Sequence, residues 1–110
     1  MIYLSGKMTG EPNYRNIFEK YKTYVADKFK EEVFNPVELS DEIISKYNMS
    51  EEDSFSEENR KIFLKEDIKA LLNCDTIYML PNWEDSRGAI FEKYVATQCG
   101  LKIIEENIII

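Results

Sequence analysis

The spacing of apolar residues separates short extended runs from helical stripes. Residues 1–5 form a largely apolar run of β type, halted by a segment rich in turn formers, Gly6, Gly10, Pro12 and Asn13. Over residues 15–30, Ile17, Phe18, Tyr21, Tyr24, Val25 and Phe29 recur at steps of three and four, which predicts a helix. Residues 32–36 read as a brief strand closed by Pro36, because the residue before proline is pushed to extended geometry. Residues 37–56 mix polar and apolar positions without a clear period and predict only a short helix and a loop. A second stripe over residues 57–72, carried by Ile62, Phe63, Ile68, Leu71 and Leu72, predicts a helix with Asn73 as its stop. The near-continuous apolar run at 75–80 has the signature of a strand buried on both faces, and Pro81 ends it. Ile90, Phe91, Tyr94, Val95 and Cys99 mark a last helix that ends at Gly100, and residues 101–104 return as a strand. The tail Ile108, Ile109 and Ile110 is apolar enough to add to the core or to an interface.

Strands that alternate with helices imply an α/β domain with a parallel sheet and right-handed crossovers, covered by helices on both faces. Four strands in the order 2-1-3-4, a small flavodoxin-like or Rossmann-like arrangement, is the economical solution. It sets the C-terminal ends of strands one and three side by side, where ligands bind in open α/β sheets. The loops at 5–13 and 81–87 then meet at one crevice.

With 110 residues, 44% hydrophobic and 32% charged, the chain is one globular domain with a modest core. Its formal net charge of −7 repels nucleic-acid backbones and anionic lipid, so neither a nucleic-acid polymer nor a membrane is an expected partner. No apolar run approaches the ~20 residues needed to cross a bilayer and the start lacks a basic leader, which makes a cytoplasmic location the expectation. Cys74 and Cys99 show no CxxC spacing and read as reduced core thiols. Histidine is absent, which excludes Ser-His-Asp and Cys-His nucleophiles and the usual zinc sites. Any catalysis falls to carboxylates, Tyr, Lys or Ser.

Four features can carry chemistry, and each has a plain structural reading beside it. The loop Ser5, Gly6, Lys7, Met8, Thr9 and Gly10 can turn its amides toward an anion, or simply join strand to helix. Ser86 stands where a hydroxyl either caps a helix or joins an anion site at its positive end. Glu92 lies on the stripe Gly88, Glu92, Ala96, with Val95 and Cys99 beside it, which should face the sheet; a carboxylate is costly to bury there unless paired or functional. The alternative is a solvated glutamate beside Lys93. Asp67, after Lys65 and Glu66, is either a surface aspartate or a partner for that site.

Taken together, Ile2-Tyr3-Leu4-Ser5-Gly6, the Asp67-Ile68 helix running into Cys74-Asp75-Thr76-Ile77, and Ser86-Arg87-Gly88-Ala89-Ile90-Phe91-Glu92 resemble the nucleoside 2-deoxyribosyltransferase superfamily over nearly the whole chain. The segment Leu80-Pro81-Asn82-Trp83-Glu84-Asp85-Ser86 is similar to that of a small branch found in bacteria and their phages. The resemblance implies that Glu92 is a nucleophile, that Asp67 serves the base and its proton, and that Tyr3 orients the nucleophile. Ser86, where the nucleoside transferases carry aspartate, resembles the deoxynucleoside monophosphate N-glycosidases, whose serine and first-loop amides hold a 5′-phosphate. Those enzymes read Gly-Ser-x-Arg-Gly in that loop, whereas this chain has Gly6-Lys7-Met8-Thr9-Gly10, with Lys7 or Arg87 available as the cation.

The implied reaction is cleavage or transfer of an N-glycosidic bond on a 2′-deoxynucleotide or deoxynucleoside, through a glutamyl ester and without cofactor or metal. Ser5, Gly6, Lys7, Met8, Thr9, Gly10, Ser86, Arg87 and Gly88 would bind substrate or its phosphate. Other classes are a catalytically idle nucleotide-binding module of the same fold and a structural assembly partner. The superfamily completes each site from a neighbouring subunit, so a homodimer or dimer of dimers is expected. Phe18, Tyr21, Tyr24 and Phe29 on the first helix, with Phe91 and Tyr94 on the last, are the apolar candidates for that contact.

Overall fold

The computed structural model describes residues 1–110. Its element order is β1 (Ile2–Ser5), α1 (Tyr14–Phe29), β2 (Val33–Phe34), α2 (Pro36–Lys46), α3 (Arg60–Leu72), β3 (Thr76–Met79), α4 (Arg87–Gln98) and β4 (Lys102–Ile104). Short 3₁₀ turns at Asp53–Phe55, Glu57–Asn59 and Trp83–Asp85 fill the longer connections. The four strands form one all-parallel sheet in the order β2-β1-β3-β4, as the alternation of strands and helices predicts.

Alternation along the strands divides the core in two. Ile2 and Leu4 of β1, with Tyr78 and Leu80, face α1 and meet Phe18, Tyr21 and Val25. Tyr3, Ile77 and Met79 face the other way and meet Leu71, Ala89 and Ala96 of α3 and α4. Residues 3 and 5 thus share the α3/α4 side of the sheet.

Local chemistry explains the helix starts. Asn35 is buried and accepts from Val37 N at 3.0 Å, and Pro36 follows at the first helical position of α2, where its missing N–H costs nothing. Ser86 caps α4 by accepting from Ala89 N at 3.1 Å. Gly100, at φ +77°, takes the left-handed conformation that ends this helix and turns the chain into β4.

Several expectations need correction. Cys74 is buried, but Cys99 is exposed, because α4 ends at Gln98 and the cysteine caps it instead of extending its inward stripe; both thiols are free. The predicted helix at 57–72 begins at Arg60, after a separate 3₁₀ turn. The aromatics of α1 fill the core: Phe18 and Tyr21 are buried, and Tyr24 and Phe29 pack against the same cluster around Tyr78. Phe91 and Tyr94, with Ile90, remain exposed, as does the tail Ile108, Ile109 and Ile110. No helix is long and apolar enough to cross a membrane.

Candidate active site

The site grows from β1. Tyr3 is fully buried with its ring stacked on Phe34 of the neighbouring strand, centroids 5.6 Å apart and planes 9° from parallel. That stack fixes the ring, so its hydroxyl has one direction to donate, onto Glu92 Oε2 at 2.5 Å. Ser5, two residues on and on the same face, donates to the other oxygen, Glu92 Oε1, at 2.7 Å. Glu92 is only 8% exposed and projects from α4, where Ala89 and Ala96 on the same stripe keep the helix close to the sheet.

Glu92 forms part of the lining of a cleft of about 480 Å³ at the C-terminal end of the sheet. One side of the cleft is the first loop, Gly6, Lys7, Met8 and Thr9; a second is the start of α4, Asp85 to Ala89. The two loops are tied together, since Lys7 N donates to Asn82 Oδ1 at 3.2 Å. Gly6 permits this approach: a Cβ there would lie 2.8 Å from Leu80 Cβ. The far wall comes from α3, with Arg60, Phe63, Leu64 and Asp67, and from Ser40 and Ile44 of α2. Ser54, Phe55, Ser56 and Glu57 complete it. Polar contacts pin this last segment: Tyr14 donates to Glu51, while Arg15 grips Asp41 with both terminal nitrogens, at 2.7 and 2.9 Å, and reaches Glu51 at 3.3 Å. The Phe55 ring meets the Tyr14 ring edge-on at 5.6 Å.

The two carboxyls have unlike surroundings. Burial pushes Glu92 up from the usual carboxylate range, while the hydrogen bonds from Tyr3 and Ser5 pull it back toward the anion. Asp67 is pushed up by burial, by the negative charge of Glu92 and by Glu66, and nothing donates to it. Its Oδ1 is buried without any hydrogen-bond partner. A shared proton therefore belongs on Asp67, with Glu92 held as the carboxylate by its two donors. Burial and the adjacent Glu92 raise Tyr3 well above an ordinary phenol, so it stays a donor.

A model for the domain of unknown function DUF4406 matches residues 1–105. The chain belongs to that family. No curated protein and no solved structure matches it.

In this DUF4406 domain the residues singled out from sequence fall into three sets. Glu92, Asp67, Gly6, Lys7, Met8, Thr9, Ser86, Arg87 and Gly88 line one cleft. Tyr3 and Ser5 stand behind it, joined to it through Glu92. Ser5 was expected among the ligand-binding loop residues; its hydroxyl instead holds the glutamate, a role signalled by the strand alternation that puts residues 3 and 5 on one face. Gly10 lies outside the lining, at φ +81°, and serves the turn. Arg87 pairs with Glu57 at 2.9 Å across the mouth of the cleft. Lining residues that sequence reasoning missed include Arg60, Phe55, Ser40 and Ile44. No group of three or more His, Cys, Asp or Glu side chains is placed to hold a metal ion.

Proposed function

We propose that this domain cleaves or transfers the N-glycosidic bond of a 2′-deoxynucleotide or deoxynucleoside. The observation that carries the reading is the buried Glu92 carboxylate, gripped by Tyr3 and Ser5 and facing the cleft that Asp67 also lines. A carboxylate held in one orientation by two hydroxyl donors is suited to attack at C1′. As the C1′–O bond to Glu92 forms, the bond from C1′ to the base nitrogen breaks, and the proton on Asp67 passes to the departing base. Water or a second base then attacks C1′, releasing Glu92 as the carboxylate and returning a proton to Asp67.

The first loop and the capped start of α4 form the end of the cleft suited to a 5′-phosphate, with backbone amides, the Ser86 hydroxyl, Lys7 and Arg87 near by. The test is incubation with a panel of 2′-deoxynucleosides and their monophosphates, followed by chromatography for free base. Release of base from at least one member, dependent on Glu92, is expected. A panel left intact while the monophosphates still raise the melting temperature would favour an idle nucleotide-binding module.

We further propose a symmetric dimer or dimer of dimers through the face of α4 that carries Ile90, Phe91 and Tyr94, 47%, 41% and 61% exposed. Light scattering at micromolar concentration tests it; a 13.0 kDa species with full activity refutes it.

A further inference from the structure

One face of α3 forms much of the cleft's far wall. Arg60, Phe63, Leu64 and Asp67 succeed one another at steps of three, one and three, so they share one side of the helix, and all four line the cleft. Arg60 and Asp67 stand roughly 10 Å apart along the axis at ~1.5 Å per residue. The side chains between them, Phe63 and Leu64, are apolar.

The polar groups on this wall differ in what they are already committed to. Ser54 donates to the Glu51 carbonyl, Ser56 donates to that of Asp53 at 2.9 Å, and Tyr14 donates to Glu51. Glu57, one turn before Arg60, is taken by Arg87 at 2.9 Å. Arg60 is half-buried; its charge reaches the Glu57 carboxyl and helps lower it, but Arg60 itself makes no side-chain hydrogen bond and no ion pair within 4 Å. A guanidinium offers five N–H donors and accepts nothing. A half-buried one without a partner therefore favours acceptors in whatever lies against it and disfavours donors.

We propose that Arg60 selects the leaving base by a carbonyl oxygen on the edge remote from the sugar, at position 6 of a purine or position 4 of a pyrimidine. This rests on the glycosidic reading above, which sets C1′ beside Glu92 and Asp67. From there the ring extends along Phe63 and Leu64 toward Arg60, and an oxo group meets N–H donors. An exocyclic amine at the same position sets donors against donors and leaves only the adjacent ring nitrogen to accept, and a hydrogen-bonding site disfavours a near-isosteric substrate in this way.

Matched pairs that exchange the oxo group for an amine, and with it the adjacent ring N–H for an acceptor, test the inference: the 2′-deoxynucleoside monophosphates of hypoxanthine and adenine, those of uracil and cytosine, and the four corresponding nucleosides. Wild-type protein should favour the oxo member of each pair by roughly 10- to 100-fold in kcat/KM. Arg60→Gln, whose amide both donates and accepts, should bring the members of each pair within about threefold. Arg60→Lys keeps donors only and should keep the preference. Equal rates within pairs for wild-type protein, or equal losses for both members in Arg60→Gln, overturn the proposal. A loss confined to monophosphates and sparing nucleosides assigns Arg60 to the phosphate and also overturns it. If nothing is turned over, the glycosidic reading fails separately, and melting shifts with the same monophosphates decide the selectivity. A larger shift for the oxo member that vanishes in Arg60→Gln supports it, and equal shifts refute it.

Discussion

The two faces of the sheet are built from the same strands but carry different chemistry. On the α1 side, Ile2, Leu4, Tyr78 and Leu80 meet Phe18, Tyr21 and Val25, and the space is filled with large apolar groups. On the α3/α4 side the partners from α4 are small, Ala89 and Ala96, and two of the inward groups of β1 are hydroxyls. Small partners bring α4 close enough for a glutamate to reach those hydroxyls. One face thus secures the fold and the other gives up part of its packing to hold a buried charge, the kind of local conflict that marks functional sites.

The sharpest way to break this comparison is to exchange one residue on each face. Glu92→Gln keeps shape and removes the charge of the proposed nucleophile, so turnover should fall on the order of 10⁴-fold or more with cooperative melting retained. Steady-state rates and calorimetry on the same sample check both halves; full activity in the variant ends the nucleophile assignment. Phe18→Ala, on the other face, should cost about 3–5 kcal/mol of stability. Below its melting transition, that variant should keep near-normal kcat in the fraction still folded. A specific loss of kcat there would show that the faces are not separable.

Tyr3→Phe sharpens the comparison within the site. The stack on Phe34 survives and one of two donors to the carboxylate is lost. A hydrogen bond to a charged group contributes about 1.5–3 kcal/mol, so kcat/KM should fall by roughly 10- to 100-fold, well short of the Glu92 effect. A loss as large as that of Glu92→Gln would mean that the phenol takes part in the chemistry itself.

How much of this was readable beforehand differs by face as well. The inward stripe of α4 followed from its period, because that helix is a long regular segment flanked by Ser86 and Gly100, and the strand order followed from the alternation of strands with helices and the handedness of their crossovers. The far wall of the cleft did not. Only Pro36, Val37 and Ile43 of α2 are buried, and a three-residue 3₁₀ turn is too short to show a period. Phe55 and Arg60 consequently carry no signal in the sequence. The first helix misled in the opposite direction: its aromatics seemed too many for one sheet face, yet Tyr78 and Phe29 lie 6.3 Å apart in a ring cluster that takes them up. Cys99 misled because a stripe argument continues past the point where the helix stops.

Asp67→Asn tests the cost of the buried charge. The folded protein raises Asp67 above its unfolded value, chiefly by burial and by Glu92. Between the ordinary carboxylate range and the raised value the folded state binds more protons than the unfolded one, so this group's stability contribution is lost as pH rises. The amide does not titrate. Its melting temperature should therefore exceed that of wild type at pH 8, with the gap closing toward pH 4. Parallel profiles for the two proteins would place Asp67 in ordinary solvent.

The smallest effect is expected just past β4, outside the cleft, where a carboxylate obeys the opposite rule. Glu105 accepts from Trp83 Nε1 at 2.8 Å and from Lys93 Nζ at 2.9 Å, and the Lys93 ammonium lies 4.2 Å from the centre of the Trp83 ring. The hydrogen bond from Lys93 holds the Glu105 carboxyl below its ordinary range, so its contribution is present at neutral pH and fades as pH falls, the reverse of Asp67. Because Lys93 and Glu105 keep 28% and 37% of their side chains exposed, water and salt screen the pair. Glu105→Gln retains an acceptor for the indole and removes the ion pair, and should cost less than about 1 kcal/mol. Melting curves in dilute buffer and in ~1 M salt, where the Debye length shrinks to about 3 Å, should show a small deficit that disappears. A deficit that persists in high salt would instead mean that an amide holds the indole less firmly than the carboxylate does, and that this contact steadies the Trp83 turn and with it the cap of α4.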